Sequence, residues 1–151
     1  MVAVITVQVT GDVELIAKYD AMARRNEAFQ PVLTWARNEL VKSFSENFSS
    51  NGLLVGGWAP LDPTYATWKA VRFPGRPTLV QNGRLFKSLV ADNAGASVGP
   101  NEFVVGTNLR YAKFHQYGTT KMPKREILFE PRGFKKNLKE KVSDWIIKGT
   151  I

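Results

Sequence analysis

The sequence predicts an α+β fold in which a small, mostly antiparallel sheet packs against one long helix and several short ones. Three observations lead there. Apolar residues recur at three- and four-residue intervals from Leu33 through Ala36, Leu40 and Phe44 to Phe48, the period of a helix with one buried stripe. Two β-rich runs, ASVG and EFVVGT, flank a turn at Pro100-Asn101, as a hairpin requires. Shorter helical-period stretches stand between glycines and prolines, so runs of different period share one chain.

Taken in order, Val2, Val4, Thr6 and Gln8 alternate with Ala3, Ile5, Val7 and Val9, which reads as a first strand ending at Thr10-Gly11. Asp12 is placed to cap a helix with Val13, Ile16, Ala17 and Met22 on one side. Pro31 suits the first turn of the long helix, which SSNG ends after Phe48. Leu53 to Thr78 is rich in proline and glycine and reads as an extended surface loop around Trp58, with a short helix near Tyr65 to Val71. Asn82-Gly83 opens a helix carrying Leu85, Phe86, Leu89 and Val90, and the hairpin follows. Tyr111 to Tyr117 reads as a short helix stopped by Gly118, and Phe134 to Ile147 as a last helix burying Leu138, Val142, Trp145 and Ile146. The 151 residues, 44% hydrophobic and 23% charged, suit one domain with its own core.

Composition narrows the chemistry. With no cysteine, disulfides, thiolate metal sites and cysteine nucleophiles are out, and a reducing cytoplasm is the simplest place of synthesis. The opening MVAVITVQVTGD lacks the regions of a signal peptide, and no apolar run approaches the roughly 18 residues that span a bilayer, so no membrane role is expected. Of the net charge of +8, Arg110 to Ile151 supplies +7, from 11 Lys/Arg against 4 Asp/Glu. Such a bias suits an anionic partner, whether nucleic acid, a membrane surface or an acidic protein ring, and charge alone does not choose among these. Lys121, Lys124, Arg132, Lys135, Lys136 and Lys139 are the candidate anion-facing residues, with Trp145 or Phe134 as possible stacking platforms for bases. Trp145 falls on the apolar stripe of its helix, which favours a core role, and no nucleic-acid-binding motif accompanies the charge.

The sole histidine, His115, has no carboxylate within a helical turn to orient it, and on a helix it shares a face with Tyr111, Phe114 and Gly118. Packing or interface duty fits it better than acid–base work. One histidine without cysteines cannot build a zinc site. Gly52, Gly56 and Gly57 match no phosphate-binding fingerprint, and Asp62, Asp92 and Glu102 are too scattered for a paired-carboxylate site. No catalytic residue, metal or cofactor is expected.

The stretch YAKFHQYGTTKMPKRE resembles the signature of the bacteriophage virion-morphogenesis or tail-completion family: Tyr111-Ala112, His115-Gln116, Tyr117-Gly118, then Pro123-Lys124-Arg125. WAPLDPTYATWK is similar to its Trp-x-Pro-Leu segment, with Trp58, Pro60, Leu61 and a later Thr and Lys. LVQNGRLFKSL is similar to its Leu-x-x-Thr-Gly-x-Leu-x-x-Ser element around Gly83, with Asn82 in place of Thr, and VVGT precedes the signature. Before the last helix, EILFEPRG departs from the family by adding Glu130 and Pro131. The likeness runs from about Ile5 to Trp145. It implies a non-enzymatic structural protein of the virion tail or neck, made in the host cytoplasm. Its role would be tail completion and head-tail joining, as a homo-oligomer, with a six-fold ring plausible. Implied partners are the tail tube, a terminator or the head connector, with contact to DNA passing through the neck. The expected interface or structural residues are Trp58, Pro60, Leu61, Gly83, Tyr111, His115, Gln116, Gly118, Pro123 and Arg125. The alternative is a DNA-binding protein working through the basic C-terminal quarter.

Overall fold

The computed structural model describes residues 13–91 and 96–151, so the expected first strand and its Asp12 cap lie outside the described residues. Six helices and one hairpin are seen among the described residues. They are α1 (Val13–Asn26), α2 (Gln30–Ser49), α3 (Pro63–Arg72), α4 (Arg84–Val90), β1 (Ala96–Val98), β2 (Phe103–Val105), α5 (Ala112–Tyr117) and α6 (Phe134–Lys148). The fold is α+β. β1 and β2 pair antiparallel with Ala96 opposite Val105 and Val98 opposite Phe103, and the Gly99 N–H closes the turn on the Glu102 carbonyl at 2.7 Å.

α2 is the axis of the molecule: α4, both strands and α6 pack on it. Its buried face is Val32, Ala36, Ser43, Phe44, Asn47 and Phe48. The expected stripe is therefore rotated by about one residue, leaving Leu33 and Leu40 half-buried. A polar residue, Asn47, sits fully buried on the core face because its amide has work there, described below. Phe48 heads a core cluster with Leu85, Leu89, Ala112 and Ile127, and Trp58, Phe86 and Leu128 pack around it. The Trp58 and Phe86 rings meet Phe48 edge-on at 5.3 and 5.5 Å, an arrangement favoured by the ring quadrupoles.

The Leu53 to Thr78 region is less extended than the prolines suggest. A 3-10 turn occupies Leu53–Val55, and α3 begins at Pro63, two residues earlier than expected. Proline in a helix's first turn sacrifices no hydrogen bond. Asp62 caps α3, its Oδ1 accepting from the Thr64 and Tyr65 N–H groups at 3.0 and 3.1 Å.

At the far end α1 packs on α6 through reciprocal polar contacts. Arg25 Nη1 donates to the Ile146 and Ile147 carbonyls, satisfying the C-terminal turn of α6. The Trp145 indole N–H lies 3.1 and 3.0 Å from the Arg25 and Ala28 carbonyls. Leu138, Val142, Trp145 and Ile146 are half-buried, while Phe134 is buried and lies parallel to Trp35 at 6.4 Å.

Candidate functional site

Residues 123–129 run as an extended segment across the end of α2, and the sequence elements singled out above converge on it. Gln116, at the end of α5, presents its side-chain amide to this segment as a strand would. Its Oε1 accepts from the Ile127 and Leu128 N–H groups, both at 2.9 Å, and its Nε2 donates to the Leu128 carbonyl at 2.8 Å. One residue earlier, the Arg125 N–H donates to the His115 carbonyl at 2.7 Å. On the other side the segment is tied to the Trp-Ala-Pro run. The Trp58 indole donates to the Glu126 carbonyl at 2.9 Å, and Arg125 sends Nε to the Ala59 carbonyl and Nη2 to the Pro60 carbonyl, at 2.9 and 2.8 Å. Asn47 Nδ2 reaches the same Glu126 carbonyl at 3.3 Å.

The remaining elements are paired in the same way. Ser88 Oγ lies 2.8 Å from Thr107 Oγ1, linking α4 to the Val-Gly-Thr run after the hairpin. Lys69, only 4% exposed, places its ammonium on the carbonyls of Arg76, Pro77 and Thr78, and burial lowers its pKa. Two glycines permit the close approaches. A Cβ on Gly52 would fall 2.4 Å from the Trp58 ring. One on Gly118, where φ is 75°, would fall 2.9 Å from the Lys124 nitrogen.

Beside this seam lies a cleft of about 600 Å³ between α3, the 78–85 turn, α5 and residues 121–125. Leu61, Tyr65, Leu85 and Tyr111 give it apolar wall, and Arg84, Lys121, Arg125, His115 and Asp62 give it polar groups. His115 meets the Tyr111 ring edge-on at 6.2 Å, and its buried Nδ1 has no hydrogen-bond partner among the described residues. Burial first, and the nearby Arg125 cation second, hold its pKa below the ordinary value. The imidazole is therefore neutral near pH 7, and no carboxylate among the described residues bonds to its Nδ1. Arg125 is 6% exposed, lowered in pKa by burial, and makes no ion pair among the described residues. The arrangement is built to hold backbone and to present positive charge.

Of the residues read from the sequence, the cleft gathers Leu61, Gly83, Tyr111, His115, Lys121, Pro123 and Arg125. Trp58, Pro60, Gln116 and Gly118 stand in or beside the seam instead, and the Trp58 ring faces the core rather than forming the tip of a surface loop. The basic candidates scatter. Lys124 pairs with Glu126 at 2.8 Å and Lys135 with Glu130 at 3.0 Å, while Arg132, Lys136 and Lys139 are exposed without an ion pair among the described residues. Neither aromatic candidate for base stacking is free for it, since Phe134 is buried and the Trp145 N–H is bonded to α1. Sequence reasoning gave no role to Asn47, met Lys69 only as the closing Lys of the WAPLDPTYATWK likeness, and met only within the SSNG helix end Asn51, whose Oδ1 accepts from the Thr78 N–H at 2.8 Å. The signal for Asn47 was its place on the stripe between Phe44 and Phe48.

No group of three or more His, Asp or Glu among the described residues could hold a metal ion, and no helix there is long and apolar enough to cross a membrane. The model of the phage virion morphogenesis family matches residues 13–149, nearly the whole chain. The chain belongs to that family. The match takes in every paired element above, from α1 to the end of α6, so these staples are those of a virion morphogenesis protein. No curated protein and no solved structure matches it.

Proposed function

We propose that this protein is a non-enzymatic structural component at the head-proximal end of the tail or neck. It completes the tail and joins it to the head as a homo-oligomeric ring. The observation that carries the reading is the use made of the polar groups in the signature: Trp58, Gln116 and Arg125 are bonded to backbone carbonyls and amides. His115 is held neutral without an orienting acid among the described residues. Such residues fix the shape of a surface, and a phage morphogenesis protein works through surfaces.

Several aromatics stay exposed where a neighbour could cover them. Tyr65 and Trp68 stack at 5.4 Å on α3 and are each partly exposed, and Tyr117 is 78% exposed at the end of α5. Aromatic residues of this kind are the usual anchors of protein interfaces. Electron microscopy of lysates lacking the protein tests the reading. Filled heads and separate tails are expected, and intact virions would overturn it.

A second reading rests on exposed Arg132, Lys136 and Lys139, which make DNA binding through the outer face of α6 testable. It predicts duplex affinity that falls steeply with salt and weakens on charge reversal at Lys136 and Lys139. Affinity indifferent to salt would remove it.

A further inference from the structure

We propose that the cleft between α3 and α5 is a docking site for a carboxylate-bearing peptide segment of a partner protein, received by Arg125 with Lys121 and Arg84. The argument starts from Arg125. A guanidinium withdrawn from water is costly without a counter-charge, and its two bonded nitrogens meet only neutral carbonyls. It has no carboxylate partner among the described residues, yet it lines a cleft.

Two more cations line it. Arg84 and Lys121 are exposed at the rim, and the sole acid, Asp62, is engaged by two N–H groups at the start of α3. A carboxylate there would gain charge-assisted hydrogen bonds in a partly dry setting. The walls select a peptide over a bare anion, because Leu61 and the Tyr65 and Tyr111 rings would remain uncovered by a small ion. They also disfavour a nucleic-acid strand, whose phosphates need an extended track of exposed cations. About 600 Å³ is within the usual range of ligand sites and suits a few residues of extended chain. That the partner is a virion protein rests on the assembly reading; the chemistry of the cleft does not.

The only histidine of the chain lies in the cleft, so its Cε1–H gives a single reporter signal in NMR spectra of the full-length protein. The probes are acetyl-Leu-Glu-Phe-Glu-amide, its glutamine twin acetyl-Leu-Gln-Phe-Gln-amide, and an oligothymidine strand. The glutamate peptide should shift the His115 signal and the Asn82, Tyr111 and Arg125 amides saturably. The glutamine twin should bind about tenfold more weakly, since each charged hydrogen bond exceeds its neutral counterpart. The double variant Arg84→Glu/Lys121→Glu changes only exposed groups and should lose a similar factor, whereas Lys136→Glu/Lys139→Glu should lose none. Equal affinity for the two peptides, shifts confined to α6, or saturation by oligothymidine but not by peptide would overturn the proposal. The assembly reading is tested separately by microscopy. Peptide binding alongside intact virions would retain the site and remove that reading, and unjoined heads and tails with no peptide binding would do the reverse.

Discussion

Replacing Gln116 by alanine separates a structural signature from a catalytic one. The amide makes three hydrogen bonds to the Ile127 and Leu128 backbone, and Ile127 is fully buried. At about 0.5–1.5 kcal/mol net for each bond, the loss comes to roughly 2–4 kcal/mol. Leaving the Ile127 N–H unpaired in the core presses toward the upper end. For a chain of this size a loss of about 3 kcal/mol lowers the melting temperature by roughly 6–12 °C. Equilibrium urea unfolding and a thermal melt measure both quantities, with Lys113→Ala, an exposed change on the same helix, expected within about 0.5 kcal/mol of the parent. A Gln116→Ala protein as stable as the Lys113→Ala control would refute the view that the signature is a staple.

Three further outcomes follow from the same geometry. Gly118→Ala forces a Cβ against the backbone of residues 122–124 at a positive φ and should cost about 1–3 kcal/mol, read as a fall in the urea midpoint. Lys69→Met keeps the aliphatic stem but strips the ammonium from three carbonyls, so amide exchange at Arg76 and Thr78 should accelerate before global unfolding does. His115 has a lowered folded pKa, so as pH falls the unfolded chain takes up the proton first. Its contribution is therefore intact above about pH 6.5 and is lost as pH drops through the folded value. His115→Phe should flatten stability between about pH 7 and 5, and an unchanged slope would count against a buried neutral imidazole.

Helix positions and the hairpin were legible because periodicity and turn chemistry are local. The stripe on α2, the Asn82-Gly83 start of α4 and the Gly118 stop of α5 each depend on residues within a few positions. Asn82 Oδ1 does accept from the Arg84 N–H, at 3.2 Å. What sequence could not reveal is which distant backbone a polar side chain would reach. Arg125 looks like any basic residue in a basic stretch, yet it bonds to carbonyls about 65 positions earlier. Trp58 sits among prolines and glycines that suggest surface, but Gly52 leaves its ring a place against α2. The charge count is coarse for a related reason. Summed charge places no cation, and Lys124 and Lys135 are each matched by an acid nearby.

The most direct trial of the assembly role is in vitro joining. Filled heads and tails from a lysate lacking this protein would be mixed with the purified chain and infectious particles counted. The account predicts infectivity that rises with added protein, that survives His115→Phe under conditions where the variant stays folded, and that falls with Gln116→Ala in step with its lost stability. Infectious particles formed equally well without the protein would contradict it.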